Sequence, residues 1–349
     1  MKIFARLLMF AMLLTPLAAQ SRKLGPLTLK EQGSFFVGGE NKTIGGPNPP
    51  ATSGEITVNQ MYVQYQIPMK GDQHVPVVMV HGCCLSSKTW ETTPDGRIGW
   101  SEYFVRKDRP VYLADQVSRA RSGFDASTFN EAKLGKLPLD KMPGILNATH
   151  QTGWTVFRFG PKFGEVFPDE QFPMQAVDEF YKQMIPDLNS TLGPQPRPTW
   201  AAMSALAAKV NGAILMGHSE SGFFPEQATL VDPAGVKSIR GNISIEMPCV
   251  TNFSPEQLAT LAKIPTLVMF GDHLGDVTGG PANWAQSFAT CNAFVDQLKK
   301  AGGDAVMMHL PAMGIQGNSH MLMQDKNSDQ LADLVISWID EHVEHAKKK

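Results

Sequence analysis

The sequence has no basic stripe, no internal repeat and no low-complexity tract, and its acidic and basic residues nearly balance at a formal net charge of −2. The absence of a basic stripe argues against a nucleic-acid partner. Its cysteines lack the spacing of a zinc site, so no metal is expected. The apolar run at residues 7–14 is too short to cross a membrane. The chain is 42% hydrophobic and 18% charged, which is typical of a protein with a sizeable core.

Residues 1–20 have the pattern of a secretory signal. Lys2 and Arg6 come before the apolar run, and small residues follow it. Removal of this segment would change the formal net charge from −2 to −4, since it contains two basic residues and no acidic ones. We therefore expect a secreted or periplasmic mature chain over residues 21–349.

The four cysteines are Cys83, Cys84, Cys249 and Cys291. In an exported chain an even number of cysteines favours disulfides. Three pairings are possible, and spacing does not separate them. The adjacent Cys83 and Cys84 could close a strained ring, pair elsewhere or remain thiols.

Short apolar runs alternate with helical patterns along most of the chain. Strands are predicted at residues 75–80, 111–114, 213–216, 243–245, 266–270 and 305–310, and helices at 99–107, 200–209, 221–230, 255–263, 285–300 and 329–345. This alternation predicts a single doubly wound α/β domain, with a mostly parallel central sheet and helices on both faces. Upstream, residues 55–68 predict an antiparallel strand or hairpin. Residues 21–53 are expected to be irregular, apart from short edge strands at 27–30 and 34–37.

The alternation stops at about residues 127–198, a segment with proline, glycine and many aromatic residues. Structureless loops of this length are uncommon in a compact domain, so we expect an inserted cap with a few helices. Its aromatic side chains could line a substrate pocket or seal the cap onto the core.

Residues 213–224, AILMGHSESGFF, have the pattern of a nucleophile elbow. Four apolar residues lead into Ser219, which has small neighbours at Gly217 and Ser221. Such neighbours are needed where a serine sits at positive φ on a tight turn between a strand and a helix. The pattern also fits an incidental serine in a strand, turn and helix, so its surroundings must decide.

A serine hydroxyl needs a base to remove its proton and an acid to orient that base. His320 lies in the loop between the last predicted strand and the last helix, where a base is expected in this architecture. For the acid, Glu246 ends the strand after the elbow strand, and Asp272 or Asp276 follows the next one. Most serine hydrolases of this architecture take the acid from the later position, which gives Asp272 a stronger general expectation than Glu246. Local sequence leaves Glu246 and Asp272 nearly even. The backbone N–H groups of Cys83 and Glu220 are the expected oxyanion donors.

A buried strand followed by HGCCLSSKTWE, the GHSxSG elbow, a glutamate before MPC and a late GNSH loop resemble the secreted bacterial esterases of the α/β-hydrolase fold typified by the Alcaligenes esterase. The resemblance covers most of the mature chain. It implies a triad of Ser219, His320 and Glu246, and so favours Glu246 over Asp272.

The same resemblance implies a Cys83–Cys84 disulfide beside the oxyanion hole and a second bridge between Cys249 and Cys291. The chain departs from the family at Glu220, where many of these esterases have glutamine or another uncharged residue. Only the backbone of Glu220 is expected to act, so the consequences should be modest.

The sequence therefore predicts a serine carboxylesterase that acts on a small-molecule ester through an acyl-enzyme. No cofactor, nucleic-acid partner or membrane association after signal removal is expected. One alternative keeps the triad but acts on a lactone or an aromatic polymer ester. Another is a non-catalytic binding protein on the same scaffold. Substrate size and the formation of a homodimer are left open.

Overall fold

The computed structural model describes residues 24–45, 53–142, 144–188, 197–231 and 235–344. The predicted signal at residues 1–20 lies outside the described residues. An eight-stranded sheet forms the centre, in the order β1-β2-β4-β3-β5-β6-β7-β8. The strands are β1 Leu29–Ile44, β2 Gly54–Pro68, β3 Val77–Val80, β4 Val111–Ala114, β5 Ala213–His218, β6 Ile239–Ile245, β7 Thr266–Phe270 and β8 Ala305–His309. Pairing is antiparallel from β1 to β4 and parallel from β4 to β8.

The central strands are apolar throughout because both faces of the sheet are covered. In β3, Val77 and Met79 pack into one core cluster, whereas Val78 and Val80 pack into the cluster on the opposite face. All four side chains are fully buried. This is the burial pattern of a parallel sheet between two helical layers.

The described residues contain helices α1 Trp100–Arg106, α2 Ser127–Lys133, α3 His150–Val156, α4 Val177–Lys182, α5 Pro198–Lys209, α6 Phe224–Val231, α7 Pro255–Leu261, α8 Trp284–Lys300 and α9 Ser328–Ile339. The start of α7 follows the sequence closely: Ser254 accepts a hydrogen bond from the Gln257 N–H, and the Gln257 side chain accepts one from the Ser254 N–H. No helix in the described ranges is both long and apolar enough to cross a membrane.

The N-terminal region differs from the prediction of short edge strands. β1 is one strand of 16 residues that pairs with β2 almost throughout its length. Gly38 and Gly39, at φ 69° and 94°, break the alternation that a strand normally shows in sequence. Pairing with β2 supplies the order that the local pattern lacks.

The segment predicted as a cap contains α2, α3 and α4 and an isolated bridge between Leu146 and Asp187. Several of its aromatic rings pack together and onto the core. Phe159 lies 4.2 Å from Phe172 and 5.4 Å from Phe180, measured between ring centroids. The segment is therefore anchored by apolar contacts, and its role as a cap stays a prediction.

The predicted disulfide between Cys249 and Cys291 is present, with a Cα–Cα distance of 5.0 Å. Cys83 and Cys84 are free thiols in this structure, and the vicinal disulfide implied by the family resemblance stays a prediction. Adjacent Cα atoms are about 3.8 Å apart across a trans peptide, which is shorter than the roughly 4.4–6.8 Å that a disulfide normally spans. The neighbouring Cys84 thiol, together with burial, raises the pKa of Cys83.

Candidate active site

The elbow has the geometry that its sequence predicts. Ser219 follows β5 at φ 56°, in the left-handed region that is strained for a residue with a side chain. A Cβ at position 217 would lie 1.9 Å from the carbonyl oxygen of Ser221, so only glycine fits there. The Ser221 hydroxyl accepts the His218 N–H at 3.0 Å and donates to the Val80 carbonyl at 2.9 Å. These bonds tie the turn to β3.

The fold brings together Glu246, at the end of β6, and His320, in the loop between β8 and α9. Glu246 directly follows β6, also at positive φ (54°), and its Oε2 lies 3.0 Å from His320 Nδ1. Both side chains are fully buried. If Nδ1 carries the proton of this contact, Nε2 is left as an acceptor, which is the tautomer a general base needs.

Glu246 is surrounded by donors. Arg158 donates Nη1 to Oε2 at 2.8 Å and Nη2 to Oε1 at 2.7 Å, and the Gly271 N–H donates to Oε1 at 2.5 Å. Burial alone would raise the pKa of Glu246, but the Arg158 charge and the hydrogen bonds from His320 and Arg158 outweigh it and lower the pKa to about 2. The Glu246 carboxylate is thus held ionised and in one orientation.

His320 is positioned by its backbone as well as its ring. Its N–H donates to the Phe157 carbonyl at 2.9 Å, and its carbonyl accepts His218 Nε2 at 2.8 Å. Its ring lies 4.2 Å from the Trp284 ring. Burial lowers the pKa of His320, partly offset by Glu246. Burial, followed by the His320 charge, lowers the pKa of His218 to about 3, so His218 is neutral near pH 7.

The expected hydrogen bond between Ser219 and His320 is not formed. His320 Nε2 is buried and has no hydrogen-bond partner among the described residues. Catalytic hydrogen bonds are often long until substrate binds. A free Nε2 lone pair is what a general base requires.

Asp272, the competing acid, has other partners. Its Oδ1 accepts the His273 N–H at 2.7 Å, and its Oδ2 accepts the Gly317 N–H at 3.0 Å. No hydrogen bond from Asp272 to His320 is found in the described part of the chain. The geometry therefore favours Glu246 as the partner of His320.

The two residues predicted to supply oxyanion donors both lie close to Ser219, Glu220 as its neighbour in the chain and Cys83 through the adjacent Gly82. A Cβ added to Gly82, next to Cys83, would come within 2.7 Å of Ser219 Cβ. The Gly82–Cys83 peptide therefore packs closely against the Ser219 side chain. Among the described residues no acceptor takes the Cys83 N–H. The Glu220 carboxylate is ion-paired with Arg119 at 3.1 Å and Arg197 at 2.8 Å.

Ser219 and Cys83 line an apolar cavity of about 290 Å³. The other lining residues are Cys84, Leu146, Ala148, Thr152, Gly153, Val156, Phe157, Pro281, Ala282 and Trp284. None of these side chains is charged. Several come from the predicted cap segment, in and before α3. The volume is at the small end of ligand pockets.

Comparison with known proteins identifies the family. No protein-family model matches the chain. It is 46% identical to a bacterial esterase of known structure, with a TM-score of 0.85 over 92% of this chain and 98% of that one. It is also 25% identical to a probable secreted lipase, phiG, from a fungal species (strain ATCC 74256), over 87% of this chain and 88% of the lipase.

The chain belongs to the bacterial esterases of the α/β-hydrolase fold. The predicted family, fold and enzyme class, a hydrolase of carboxylic esters, are confirmed. This membership argues against the alternative of a non-catalytic binding protein.

Two buried arginines at the site were not predicted from sequence. Arg158 lies in the cap segment, two residues after the end of α3, and Arg119 lies in the loop after β4. Neither belongs to a motif, and nothing in the local sequence separates them from surface arginines. Their burial depends on carboxylates that are distant in the chain, as in the Arg158–Glu246 pair, 88 residues apart. Only the three-dimensional contacts reveal them.

Proposed function

We propose that this protein is a serine carboxylesterase in which Ser219 is the nucleophile, His320 the general base and Glu246 the acid that orients it. The observation that carries the proposal is the buried Glu246–His320 contact at 3.0 Å, combined with an unpartnered His320 Nε2 among the described residues. Ser219, in its strained elbow conformation, opens on the apolar cavity.

In the proposed reaction, Ser219 Oγ attacks the ester carbonyl carbon while its proton passes to His320 Nε2. The tetrahedral oxyanion accepts hydrogen bonds from the N–H groups of Cys83 and Glu220. Collapse breaks the bond to the alkoxide, which leaves with the proton from His320. Water then attacks the acyl-enzyme carbonyl carbon and gives a proton to His320. Collapse breaks the bond between that carbon and Ser219 Oγ, which takes the proton from His320 as the acid product leaves.

Glu246 has a defined task in this scheme. His320 must become an imidazolium in a fully buried position, where charge is disfavoured. Since the pKa of Glu246 is held at about 2, its negative charge is present throughout and stabilises that imidazolium. Arg158 keeps Glu246 in place but also opposes the imidazolium charge.

We propose small, neutral, apolar esters as substrates. The support is the size of the cavity and its lining, which contains no charged side chain. An ester with a carboxylate on its acyl chain would lose hydration without gaining a cation. We further propose that residues 127–198 act as a cap, because Gly153, Phe157 and Leu146 from this segment line the cavity.

We also propose that the protein is secreted or periplasmic. The Cys249–Cys291 disulfide fits an oxidising compartment. The signal-like pattern of residues 1–20 and the similarity to a probable secreted lipase support the same location. N-terminal sequencing of protein recovered outside the cytoplasm of a bacterial host should show that this segment is absent; an intact N-terminus would contradict the proposal.

Hydrolysis of 4-nitrophenyl butyrate by Ser219→Ala tests the proposed chemistry. We expect a loss of at least about 10⁴-fold in kcat, since no other group replaces the nucleophile. Ser204→Ala is the matched control, because Ser204 on α5 is also buried and its hydroxyl has no partner among the described residues. Turnover by Ser219→Ala at a rate close to that of the control would refute the assignment.

The substrate class is tested with 4-nitrophenyl butyrate and 4-nitrophenyl hemisuccinate, which have similar lengths and differ in a terminal carboxylate. The neutral ester should have a kcat/KM at least about tenfold higher, equivalent to roughly 1.4 kcal/mol. Equal values would show that the apolar cavity does not receive the acyl chain.

A further inference from the structure

Arg119 connects the two predicted oxyanion donors through a single buried guanidinium. Its Nη1 donates to the Gly82 carbonyl at 3.0 Å, and Nη1 and Nη2 donate to Glu220 Oε2 at 3.2 and 3.1 Å. Nη2 also donates to Asp187, in the cap segment. The Arg119 side chain is fully buried. One cation therefore contacts the loop before Cys83, the residue after the nucleophile and the cap segment.

The contact with Gly82 determines how the neighbouring N–H is aimed. The Gly82 C=O and the Cys83 N–H belong to one planar trans peptide, so they point in opposite directions. The carbonyl accepts from Arg119 and, at 2.9 Å, from His81 Nδ1. His81 Nε2 accepts the Gln116 N–H, which leaves the proton on Nδ1. With the carbonyl fixed by two donors on one side, the Cys83 N–H is fixed on the other.

The contact with Glu220 is electrostatic. A carboxylate one residue after the nucleophile would repel a developing oxyanion. Glu220 is flanked by Arg119 and Arg197, while Asp187 balances the second positive charge. Although burial disfavours the Arg119 charge, Glu220 and Asp187 outweigh it and raise the pKa of Arg119. The charge is therefore retained at any pH where an esterase works.

We propose that Arg119 is a positioning residue of the oxyanion site, which fixes the Gly82–Cys83 peptide with its N–H available to the oxyanion and neutralises the Glu220 carboxylate. The inference rests on the proposed serine esterase function. It explains how this chain accommodates glutamate at position 220: the carboxylate is already bound by two guanidinium groups. Arg119 touches no reacting atom, so its effect should appear in the transition state and little in substrate binding.

The test compares Arg119→Met, Arg119→Lys, Glu220→Gln and the double variant Arg119→Met with Glu220→Gln, using 4-nitrophenyl butyrate. Arg119→Met should lower kcat about 10²-fold, the effect of weakening one oxyanion donor, with KM within about threefold. Its affinity for butylboronic acid, which forms a tetrahedral adduct with a serine nucleophile, should fall in parallel with kcat. Glu220→Gln should recover about tenfold of the loss in the Arg119→Met background, because Glu220 and Asp187 would otherwise set two negative charges against the single positive charge of Arg197. Arg119→Lys, which keeps the charge but loses the planar fork that contacts Gly82, Glu220 and Asp187 together, should fall in between.

An unchanged kcat in Arg119→Met, a rise in KM alone, or no recovery by Glu220→Gln would overturn the inference. If Arg119→Met does not fold, Arg119→Lys and the double variant decide: a wild-type kcat in both would overturn it. The Ser219→Ala variant tests the proposed function independently of the Arg119 variants. Activity that survives Ser219→Ala refutes the serine mechanism, whereas a dependence on Ser219 with unaffected Arg119 variants refutes the role of Arg119 alone.

Discussion

Replacing Glu246 with glutamine should lower kcat about 10³- to 10⁴-fold, the effect of losing the acid that sets the tautomer of a catalytic histidine. This equals roughly 4–5.5 kcal/mol of barrier. The reason lies in the four contacts of the carboxylate, which come from two Arg158 nitrogens, the Gly271 N–H and His320 Nδ1. The Arg158 and Gly271 nitrogens are hydrogen-bond donors, and His320 Nδ1 can act as one. The amide of glutamine must turn its NH₂ toward some of them.

An NH₂ at the Oε2 position would face His320 Nδ1 and favour the tautomer with Nδ1 as acceptor. The ring proton would then sit on Nε2, which could no longer take the proton of Ser219. The change also leaves Arg158 as a buried charge without its partner, so the variant should be destabilised by about 3–5 kcal/mol. Kinetics must therefore be measured well below its thermal midpoint, with circular dichroism as a check that it is folded.

Asp272→Asn is the matched control, since it makes the same chemical change one strand further along the sheet. Its oxygens accept the N–H groups of His273 and Gly317. Loss of these bonds should disturb a loop and leave kcat within about tenfold of the wild type. The assay is the steady-state hydrolysis of 4-nitrophenyl butyrate. A greater loss of kcat in Asp272→Asn than in Glu246→Gln would refute the assignment of the acid.

Three other outcomes follow from the structure. Burial lowers the pKa of His320, and only the neutral form of His320 accepts a proton. The acid limb of the kcat/KM profile should therefore lie below pH 6.5, with activity falling as the pH drops through the lowered pKa. An acid limb above pH 6.5 would contradict this. Burial, and next the nearby charge of Asp325, raises the pKa of Glu170 from 4.5 to about 9, so stability should fall as pH rises across that window. Glu170→Gln should reduce that slope in urea denaturation curves measured at several pH values, and an unchanged slope would refute the shift. Replacing Cys249 and Cys291 with serine removes a disulfide between residues 42 positions apart, and should lower the free energy of unfolding by about 2–4 kcal/mol. A decrease of less than about 1 kcal/mol would count against a stabilising role for this disulfide.

The central strands could be predicted because burial on both faces requires continuous apolar runs. The β4 prediction, residues 111–114, agrees with the structure. The β6 prediction began at residue 243, but the strand starts at Ile239. The missed half contains Arg240, which is exposed, and Asn242, which is buried and donates to Thr229. Polar residues that are buried by contacts with other parts of the chain hide a strand from local pattern analysis.

Helix ends were harder to predict than helix positions. The elbow helix was expected from residue 221, but Ser219–Ser221 form a 3₁₀ turn and α6 begins at Phe224. The last helix was expected to reach residue 345. In the structure α9 ends at Ile339 and a π-helical turn, Asp340–Glu344, follows. There Glu344 accepts hydrogen bonds from the Val75 N–H and Arg109, contacts that no local pattern contains.

In the candidate site, too, some residues can be selected from sequence and others only from the structure. Sequence alone selects Ser219 and His320 as candidates, because an elbow needs small neighbours and because the proposed base has a fixed place in the strand order. The choice between Glu246 and Asp272 needed the family resemblance, since both end strands at the same edge of the sheet. Arg158 could not be found from sequence, because its role comes from a contact across 88 positions.

Covalent labelling tests the central claim most directly. A fluorophosphonate reacts with a serine only where a base activates the hydroxyl and an oxyanion site receives the phosphoryl oxygen. Peptide mass mapping of the labelled wild-type protein should place one phosphonyl group on Ser219, and Ser219→Ala should remain unlabelled. A label on another residue, or equal labelling of Ser219→Ala, would contradict the account.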